Sequence, residues 1–522
     1  MRKQLFVAAS VIALTVLGYV QFPGHTYLQS DTQVYVPMLE RLWNPAVFQN
    51  DFMVARPHMA FTIYDEVAVA LRRLTGLGFR EVLTIQQLLF RALGILGVFL
   101  LAASLKLTTR MALLVAAIFA LGATIWGPTV LTTEYEPVPR GFALGLLFLA
   151  LGLLAQGQET AATLAASAAF LYHPTTTIPF WAVYFFLACR GPSRRRWLGF
   201  LPLAAAALGL LLMARFQPPL AVARMEPWWE KMLRLRATYI WVSLWFPKWY
   251  WHYAILWGVA AAAFWRVRNQ ASSALRPFLC GLPLIGILSV PASYALLEGL
   301  RSSLGPQLQP ARMVLFVTAM AGVLATVAAI RAAEAARWTE SFLWFLPVFA
   351  IPTGDAIQHV LGRRLLLVVL LAAGGVLAAW ADSGRRRWGA AAWAVMALAP
   401  FFVYPGFARV ENYPRSHDQE IHDLALWARS STPENAVFLF PDARRELYPG
   451  IFRAVALRAV YVDWKSGGQG NYFPDVAREW WARWQAVMAP RFKPGPLERY
   501  ASYGVDYVVV RKNGGYVAQR VR

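Results

Sequence analysis

Hydrophobic stretches alternate with short breaks of Gly, Pro or charge from the start of the chain to about residue 404. Most of the stretches approach the roughly 20 apolar residues that a membrane-spanning helix requires. The pattern predicts an α-helical polytopic membrane protein with about thirteen transmembrane segments, at 4–21, 83–105, 111–127, 141–155, 160–172, 176–189, 197–215, 252–267, 277–297, 312–330, 340–353, 364–380 and 388–404. The two stretches that flank His173 are short, so a re-entrant hairpin there is an alternative.

Lys and Arg are concentrated in alternate connections between these stretches. By the positive-inside rule, connections rich in these residues lie in the cytoplasm. The distribution therefore predicts a cytoplasmic N-terminus, and an odd number of crossings then puts the C-terminus on the extracytoplasmic side. The chain divides into a transmembrane region, 1–404, and a soluble extracytoplasmic domain, 405–522.

Three of the predicted extracytoplasmic segments precede the tail. The first loop (22–82) mixes apolar and charged residues at helical spacing, which predicts two helices lying along the membrane surface above a cavity. The second loop (128–140) is compact, and the aromatic loop (216–251) is rich in Trp with Lys and Arg, a composition suited to the lipid headgroup layer.

The tail has the composition of a soluble domain. Its pattern predicts a helix over 417–429, strands in AVFLF (436–440) and AVYVDW (459–464), and a final hairpin that turns at Asn513 and Gly514. Together these elements predict a small α/β domain. The segment GGQGNY (467–472) lacks the spacing of a dinucleotide-binding motif, so we expect a flexible loop.

The overall composition agrees with a membrane protein. Hydrophobic residues make up 58% of the chain and charged residues 15%, whereas roughly a quarter of a soluble domain is charged. The net charge of +22 does not indicate nucleic-acid binding, because the basic residues form short clusters between apolar stretches. Cys189 and Cys280 both lie at predicted cytoplasmic span ends, so we expect free thiols.

The predicted topology gathers ionisable residues on the extracytoplasmic side, close to the membrane. Such charges are retained mainly where they line a polar cavity or meet a partner, which indicates a functional site. Asp31 directly follows the first span and is its predicted centre; the alternative is that Asp31 only caps the helix that follows it. The candidate site residues are Asp31, Asp51, Glu134, Glu136, Arg140, His173 and Arg312.

These residue types suit the transfer of a sugar from a lipid phosphate to an acceptor hydroxyl. A carboxylate desolvated at the membrane surface has a raised pKa and is a better base, the role predicted for Asp31. The leaving phosphate needs its charge neutralised, a role for the guanidinium groups of Arg140 and Arg312. Glu134 or Glu136 would orient Arg140, bind sugar hydroxyls or help to hold a divalent cation, and their spacing does not choose among these.

The chain resembles the GT-C superfamily of membrane glycosyltransferases. The resemblance rests on the acidic residue in QSDTQVY after the first span, the helical first loop, the second acidic motif TEYEPVPR and the exported tail. It implies a polyprenyl-phosphate-linked sugar donor, Asp31 at the catalytic centre and Glu134 or Glu136 at the second acidic position. With the basic inner loops, it also implies a bacterial inner membrane.

The prediction is an inverting glycosyltransferase whose partners are the polyprenyl-phosphate-linked sugar and membrane lipids. Whether a divalent cation takes part is left open, and no metal ligands are assigned. A transporter of lipid-linked glycans or lipids would use the same cavity without a base, although the chain shows no two related halves. A non-catalytic membrane scaffold of the same fold is the third interpretation.

Overall fold

The computed structural model describes the chain except residues 57, 60, 192–193, 216–221, 385, 408–409, 489–495, 513 and 522. In these described parts, each of the predicted spans overlaps an α-helix. These helices are α1 (Arg2–Val20), α4 (Phe79–Ser104), α5 (Thr109–Ala120), α6 (Pro139–Ala155), α7 (Glu159–Tyr172), α8 (Pro174–Arg190), α10 (Leu201–Ala214), α12 (Pro247–Val267), α13 (Arg276–Tyr294), α15 (Leu315–Glu334), α16 (Trp338–Ala350), α17 (Arg363–Ser383) and α18 (Gly389–Val403).

Seven segments of the described chain are long and apolar enough to cross a membrane, namely Arg2–Val20, Phe79–Ser104, Arg196–Ala214, Arg276–Gly299, Leu304–Glu334, Arg363–Ser383 and Gly389–Gly406. The remaining helices of the bundle are shorter or less apolar. A polytopic helical membrane protein is therefore confirmed, and the figure of about thirteen crossings stays a prediction. The two cysteines are free and exposed, as predicted.

Helix α15 is deeply buried in the bundle. In the segment Leu304–Glu334, which contains this helix, 94% of the most apolar 18-residue stretch is buried inside the protein. Helices α4 and α6 approach each other closely, and glycines make this approach possible. A Cβ atom on Gly97 would lie 2.2 Å from the carbonyl oxygen of Phe148, and one on Gly152 would lie 2.4 Å from that of Gly97. Small residues allow such backbone contact between membrane helices. These glycine contacts therefore fix the position of α6 along the axis of α4.

The loops between the bundle helices carry short elements. The first loop contains two helices, as predicted: α2 (Thr32–Trp43) and α3 (Tyr64–Thr75). A small antiparallel hairpin, β1 (Thr124–Ile125) with β2 (Val130–Leu131), leads from α5 into the second loop. The other short helices are α9 (Arg194–Leu198), α11 (Pro227–Arg236) of the aromatic loop, and α14 (Leu304–Leu308).

The tail forms the predicted α/β domain around a four-stranded sheet of order β4-β3-β5-β6. Strands β3 and β4 are parallel, β3 and β5 are parallel, and β5 and β6 form an antiparallel hairpin. Its elements are α19 (Gln419–Ser431), β3 (Val437–Leu439), α20 (Tyr448–Ala456), β4 (Ala459–Val460), α21 (Pro474–Val487), α22 (Leu497–Ala501), β5 (Tyr507–Lys512) and β6 (Gly515–Arg520). The predicted turn includes Gly514, at φ +89°, whereas Asn513 lies outside the described residues.

The tail domain packs directly onto the first loop. Helix α20 lies against α2, where a Cβ atom on Gly450 would come within 2.1 Å of the Gln33 side chain. The segment predicted as a flexible loop is instead a 3-10 helix, Lys465–Asn471, most of which is buried. The prediction was wrong because the glycines permit close packing here: Gly467 lies against the indole of Trp480, and Gly470 against Met232.

Candidate functional site

The carboxylate of Asp31 lies at the junction of the first loop, the second loop and the tail domain. Its Oδ2 atom is 2.8 Å from a terminal nitrogen of Arg140, and its Oδ1 atom is 2.9 Å from Nζ of Lys465. Asp31 keeps 29% of its side chain exposed, against 15% for Arg140 and 11% for Lys465. The carboxylate is therefore partly accessible to solvent although both of its cationic partners are largely buried.

The helix-cap alternative for Asp31 is not what the structure shows. Asp31 occupies the N-cap position of α2, but its side chain makes no cap hydrogen bond. The carboxylate of Glu136 instead binds the backbone that leads into α2: it accepts hydrogen bonds from the N–H groups of Gln29, Ser30 and Asp31 at 2.7–3.0 Å, and from the Thr32 hydroxyl at 2.7 Å. Consecutive N–H groups at a helix start bind an anion well, which leaves the Asp31 carboxylate free for other contacts.

Glu136 is thus a positioning residue, and its replacement by glutamine tests this. The amide NH2 of Gln would face a backbone donor, so at least one buried donor loses its acceptor at a cost of about 1–3 kcal/mol. We expect Glu136→Gln to lower the thermal unfolding midpoint of the purified protein. The exposed Glu446 provides the matched control, Glu446→Gln; equal midpoints for the two variants would contradict the assigned role.

Arg140 is held by Glu134 on its other side. Its Nε atom donates to one carboxylate oxygen of Glu134 at 2.6 Å, and a terminal nitrogen lies 3.3 Å from the other oxygen. Gly141 follows Arg140 on α6, and a Cβ atom there would lie 2.9 Å from the Glu134 side chain. Arg91 of α4 fixes the same segment, since it donates to the Glu134 carbonyl at 2.6 Å. Glu134 therefore orients Arg140 and is not free to act as a base.

The two cations decide the protonation state of Asp31. Burial alone would raise the pKa of this carboxyl group, but Lys465 and Arg140 outweigh burial and hold the pKa well below its usual range. The expectation of a pKa raised towards neutrality was therefore wrong, because desolvation was considered without its charged partners. Burial and the charge of Asp31 together raise the pKa of Glu136.

Arg312 lies in the same region but without an ion pair among the described residues. Its Nε atom is buried with no hydrogen-bond partner, and its guanidinium group lies 5.4 Å from the ring centre of Tyr239. Burial raises the pKa of the Tyr472 phenol, and Arg312, Asp31 and Arg140 all act on that phenol electrostatically. Arg312 and the Asp31–Arg140 pair therefore act on the same phenol, and no carboxylate of the described residues forms an ion pair with Arg312.

Two further candidates take part in other contacts. Asp51 is completely buried and accepts a hydrogen bond of 2.7 Å from Nε of Arg453, whose terminal nitrogen lies 2.8 Å from Asp463. These contacts form a structural ion-pair cluster between the first loop and the tail. Asp51 therefore belongs to this cluster and not to the group formed by Asp31, Arg140 and Lys465. His173 caps α8 through its Nδ1 atom, which lies 2.8 Å from the Thr176 hydroxyl.

A possible cation-binding group lies elsewhere in the first loop. Ligand atoms of His58, Asp65 and Glu66 lie within 4.8 Å of one another, which is the one such group in the described parts of the chain. Around Asp31 the carboxylates already contact Arg140, Lys465 or backbone N–H groups. That donor set suits an anionic ligand better than a metal ion.

Sequence reasoning missed Lys465. It follows Trp464 and precedes a glycine-rich run, a local pattern that is typical of an exposed loop. No local signal places its ammonium group beside a carboxylate 434 positions earlier in the chain. The segment that carries Lys465 does fall within a matched family model, a domain of unknown function (DUF6798) over residues 419–487.

The chain is similar to solved structures of two proteins, ArnT and AftD. ArnT from Cupriavidus metallidurans in the apo state is 14% identical with a TM-score of 0.46, over 99% of this chain and 97% of that one. The same protein bound to undecaprenyl phosphate is 13% identical with a TM-score of 0.40, over 99% and 97% of the chains. The arabinofuranosyltransferase AftD from Mycobacteria is 14% identical with a TM-score of 0.39, over 97% of this chain and 36% of that one.

These similarities are distant and concern overall architecture alone. A search of curated proteins finds no match.

Proposed function

We propose that this protein is an integral-membrane glycosyltransferase that moves a sugar from a polyprenyl-phosphate-linked donor to an acceptor hydroxyl. The proposal places the reaction at the outer face of a bacterial inner membrane, with the N-terminus in the cytoplasm and the tail outside. The observation that carries it is the contact between a partly exposed carboxylate, Asp31, and the cation Arg140, with Arg312 acting electrostatically on the same phenol, Tyr472, as both of them.

The chemistry follows from these three groups. The acceptor oxygen attacks the anomeric carbon of the donor sugar while its proton passes to the Asp31 carboxylate. The bond from the anomeric carbon to the phosphate oxygen breaks, and its electron pair stays on that oxygen. The products are the glycoside and the polyprenyl phosphate, whose charge Arg140 and Arg312 stabilise. A single displacement of this kind inverts the configuration at the anomeric carbon.

The decisive experiment measures sugar transfer in proteoliposomes from a panel of radiolabelled polyprenyl-phosphate donors. Turnover with at least one donor is the result expected. Binding of donor lipid without turnover, in the presence of a broad set of acceptors, would favour a lipid transporter. A protein that neither binds nor transfers would be left with a scaffolding role.

Arg312→Gln tests the phosphate contact. Because Arg312 has no ion pair in the described structure, its loss should leave the fold intact and weaken donor binding. A hydrogen bond to a charged partner contributes about 1.5–3 kcal/mol, so the KM for the donor should rise by roughly ten- to hundredfold. The control is Arg363→Gln, which removes an exposed arginine of α17. The same KM in both variants would remove Arg312 from the donor site.

A further inference from the structure

The tail domain contributes a cation to the site through Lys465. Its Nζ atom donates to the Ser30 hydroxyl at 2.8 Å and to Oδ1 of Asp31 at 2.9 Å. An ammonium group has three donors, and the described structure occupies two of them. One N–H therefore remains for a further acceptor in a position where the side chain is 11% exposed.

Tertiary contacts hold the Lys465 segment in place. The indole of Trp480 donates to the Asp463 carbonyl at 2.8 Å, and the indole of Trp229 in α11 donates to the Gly470 carbonyl at 2.8 Å. Arg236 of α11 donates to the Trp464 carbonyl at 2.5 Å. The segment is thus fixed on one side by the tail domain and on the other by the aromatic loop, which pre-organises the ammonium group for binding.

One member of the buried ion-pair cluster, Asp463, lies two residues before Lys465 in the chain. Arg453 joins Asp463 of that segment to Asp51 of the first loop, with all three side chains inaccessible to solvent or nearly so. The first loop also carries Asp31. The cluster therefore ties the segment that carries Lys465 to the loop that carries Asp31.

Arg140 and Lys465 both form ion pairs with the carboxylate of Asp31, so the proposed base is already engaged. While Arg140 and Lys465 both contact Asp31, its proton affinity is low and it is a weak base. A donor phosphate would offer these cations a second anion, and each cation that turns towards the phosphate stops lowering the basicity of Asp31. Arg312 adds a cation that forms no ion pair among the residues that the structure describes.

We propose that Lys465 is a donor-phosphate-binding residue supplied by the tail domain, and that phosphate binding draws its ammonium group from Asp31 and so frees the carboxylate to act as base. The inference rests on the proposed function. In the transfer step the acceptor proton then goes to Asp31, while the departing phosphate oxygen receives the electron pair of the broken bond beside Lys465, Arg140 and Arg312. The tail domain is in this way part of the active site.

Lys465→Met and Lys465→Arg test the proposal, with Lys512→Met on β5 as the matched control at an exposed lysine of the same domain. Binding of undecaprenyl phosphate to the purified protein and donor kinetics in proteoliposomes are both measured. We expect Lys465→Met to weaken lipid phosphate binding and raise the donor KM by about ten- to hundredfold. The arginine variant keeps the charge and should recover most of the binding, and Lys512→Met should match the wild type.

The pH profile separates this role from a purely structural one. The acidic limb of kcat/KM reports groups of the free enzyme. Removing the Lys465 charge takes away one cause of the low Asp31 pKa, so the limb should move to higher pH in Lys465→Met and stay in place in Lys465→Arg. A purely structural loss would lower activity at every pH without moving the limb.

The outcomes distinguish this inference from the proposed function. Wild-type turnover with unchanged donor KM, lipid binding and pH profile in Lys465→Met would overturn the role of Lys465 and leave the transferase standing. Phosphate binding that depends on Lys465, without turnover by the wild type, would support the contact and overturn the transferase. Equal losses in the methionine and arginine variants would overturn a role for the charge. No binding by the wild type would overturn both.

Discussion

Replacement of Asp31 by asparagine is expected to lower the kcat for sugar transfer by at least about a hundredfold, the contribution that a general base commonly makes. Asparagine has nearly the same shape, but it cannot accept the proton of the acceptor hydroxyl. It also offers Arg140 and Lys465 a neutral oxygen in place of a charge, so donor phosphate should meet less competition for both cations. We therefore expect the KM for the donor to stay the same or fall while kcat decreases strongly. Initial rates in proteoliposomes measure both constants.

The matched control is Asp355→Asn. Asp355 also forms an ion pair with an arginine, Arg364, at 2.8 Å, and it is about as exposed as Asp31. This variant should retain wild-type turnover. Equal turnover by Asp31→Asn and the wild type would show that the base is another group. Glu134 and Glu136 are both buried, at 6% and 3% exposed, so an acceptor hydroxyl has less access to either glutamate than to Asp31.

Arg453→Met is expected to cause the largest loss of stability. The substitution leaves two buried carboxylates, Asp51 and Asp463, without their shared cation. Burial alone would raise the pKa of Asp463, and in the native protein Arg453 outweighs burial and holds that pKa below its usual range. Breaking a buried ion pair by removing one partner costs about 3–5 kcal/mol. The thermal unfolding midpoint in detergent should fall clearly, and donor binding should fall with it, because the cluster positions Lys465.

Arg478→Met is the control for this change. Arg478 lies on α21 with 69% of its side chain exposed and makes a long contact of 3.9 Å with Glu226. Exposed ion pairs contribute little to stability, so its midpoint should match that of the wild type. If both variants unfolded at the wild-type midpoint, the cluster would not be what joins the tail domain to the first loop.

Much of the fold could be predicted from periodicity. Apolar runs broken by Gly, Pro and charge located the bundle helices, because lipid-facing or buried helices must satisfy their backbone within the segment. The helices of the first loop and the strands of the tail followed from amphipathic spacing and from turn residues. The number of crossings did not follow as directly, since helices such as α5 (Thr109–Ala120) and α16 (Trp338–Ala350) are shorter than a full span.

Only the acidic residues and the arginines of the candidate site could be predicted from the sequence. Asp31, Glu134, Glu136 and Arg140 lie at the ends of recognisable apolar runs, where charge near a membrane signals function. Their roles did not follow from position. Glu136 binds the backbone before α2, Glu134 holds Arg140, and Asp51 joins a buried cluster, and each role depends on which donor the fold brings to the carboxylate.

The sequence by itself determined the membrane class, the helical loop, the α/β tail and Asp31 as the centre of interest, because each depends on residue types within a short window. Only the tertiary structure decided that the tail domain closes onto the first loop, that Lys465 contacts Asp31, and that the pKa of Asp31 is lowered instead of raised. The physical reason is that electrostatic energy depends on distances between charges. Segments more than 400 residues apart set those distances here, and no local pattern encodes them.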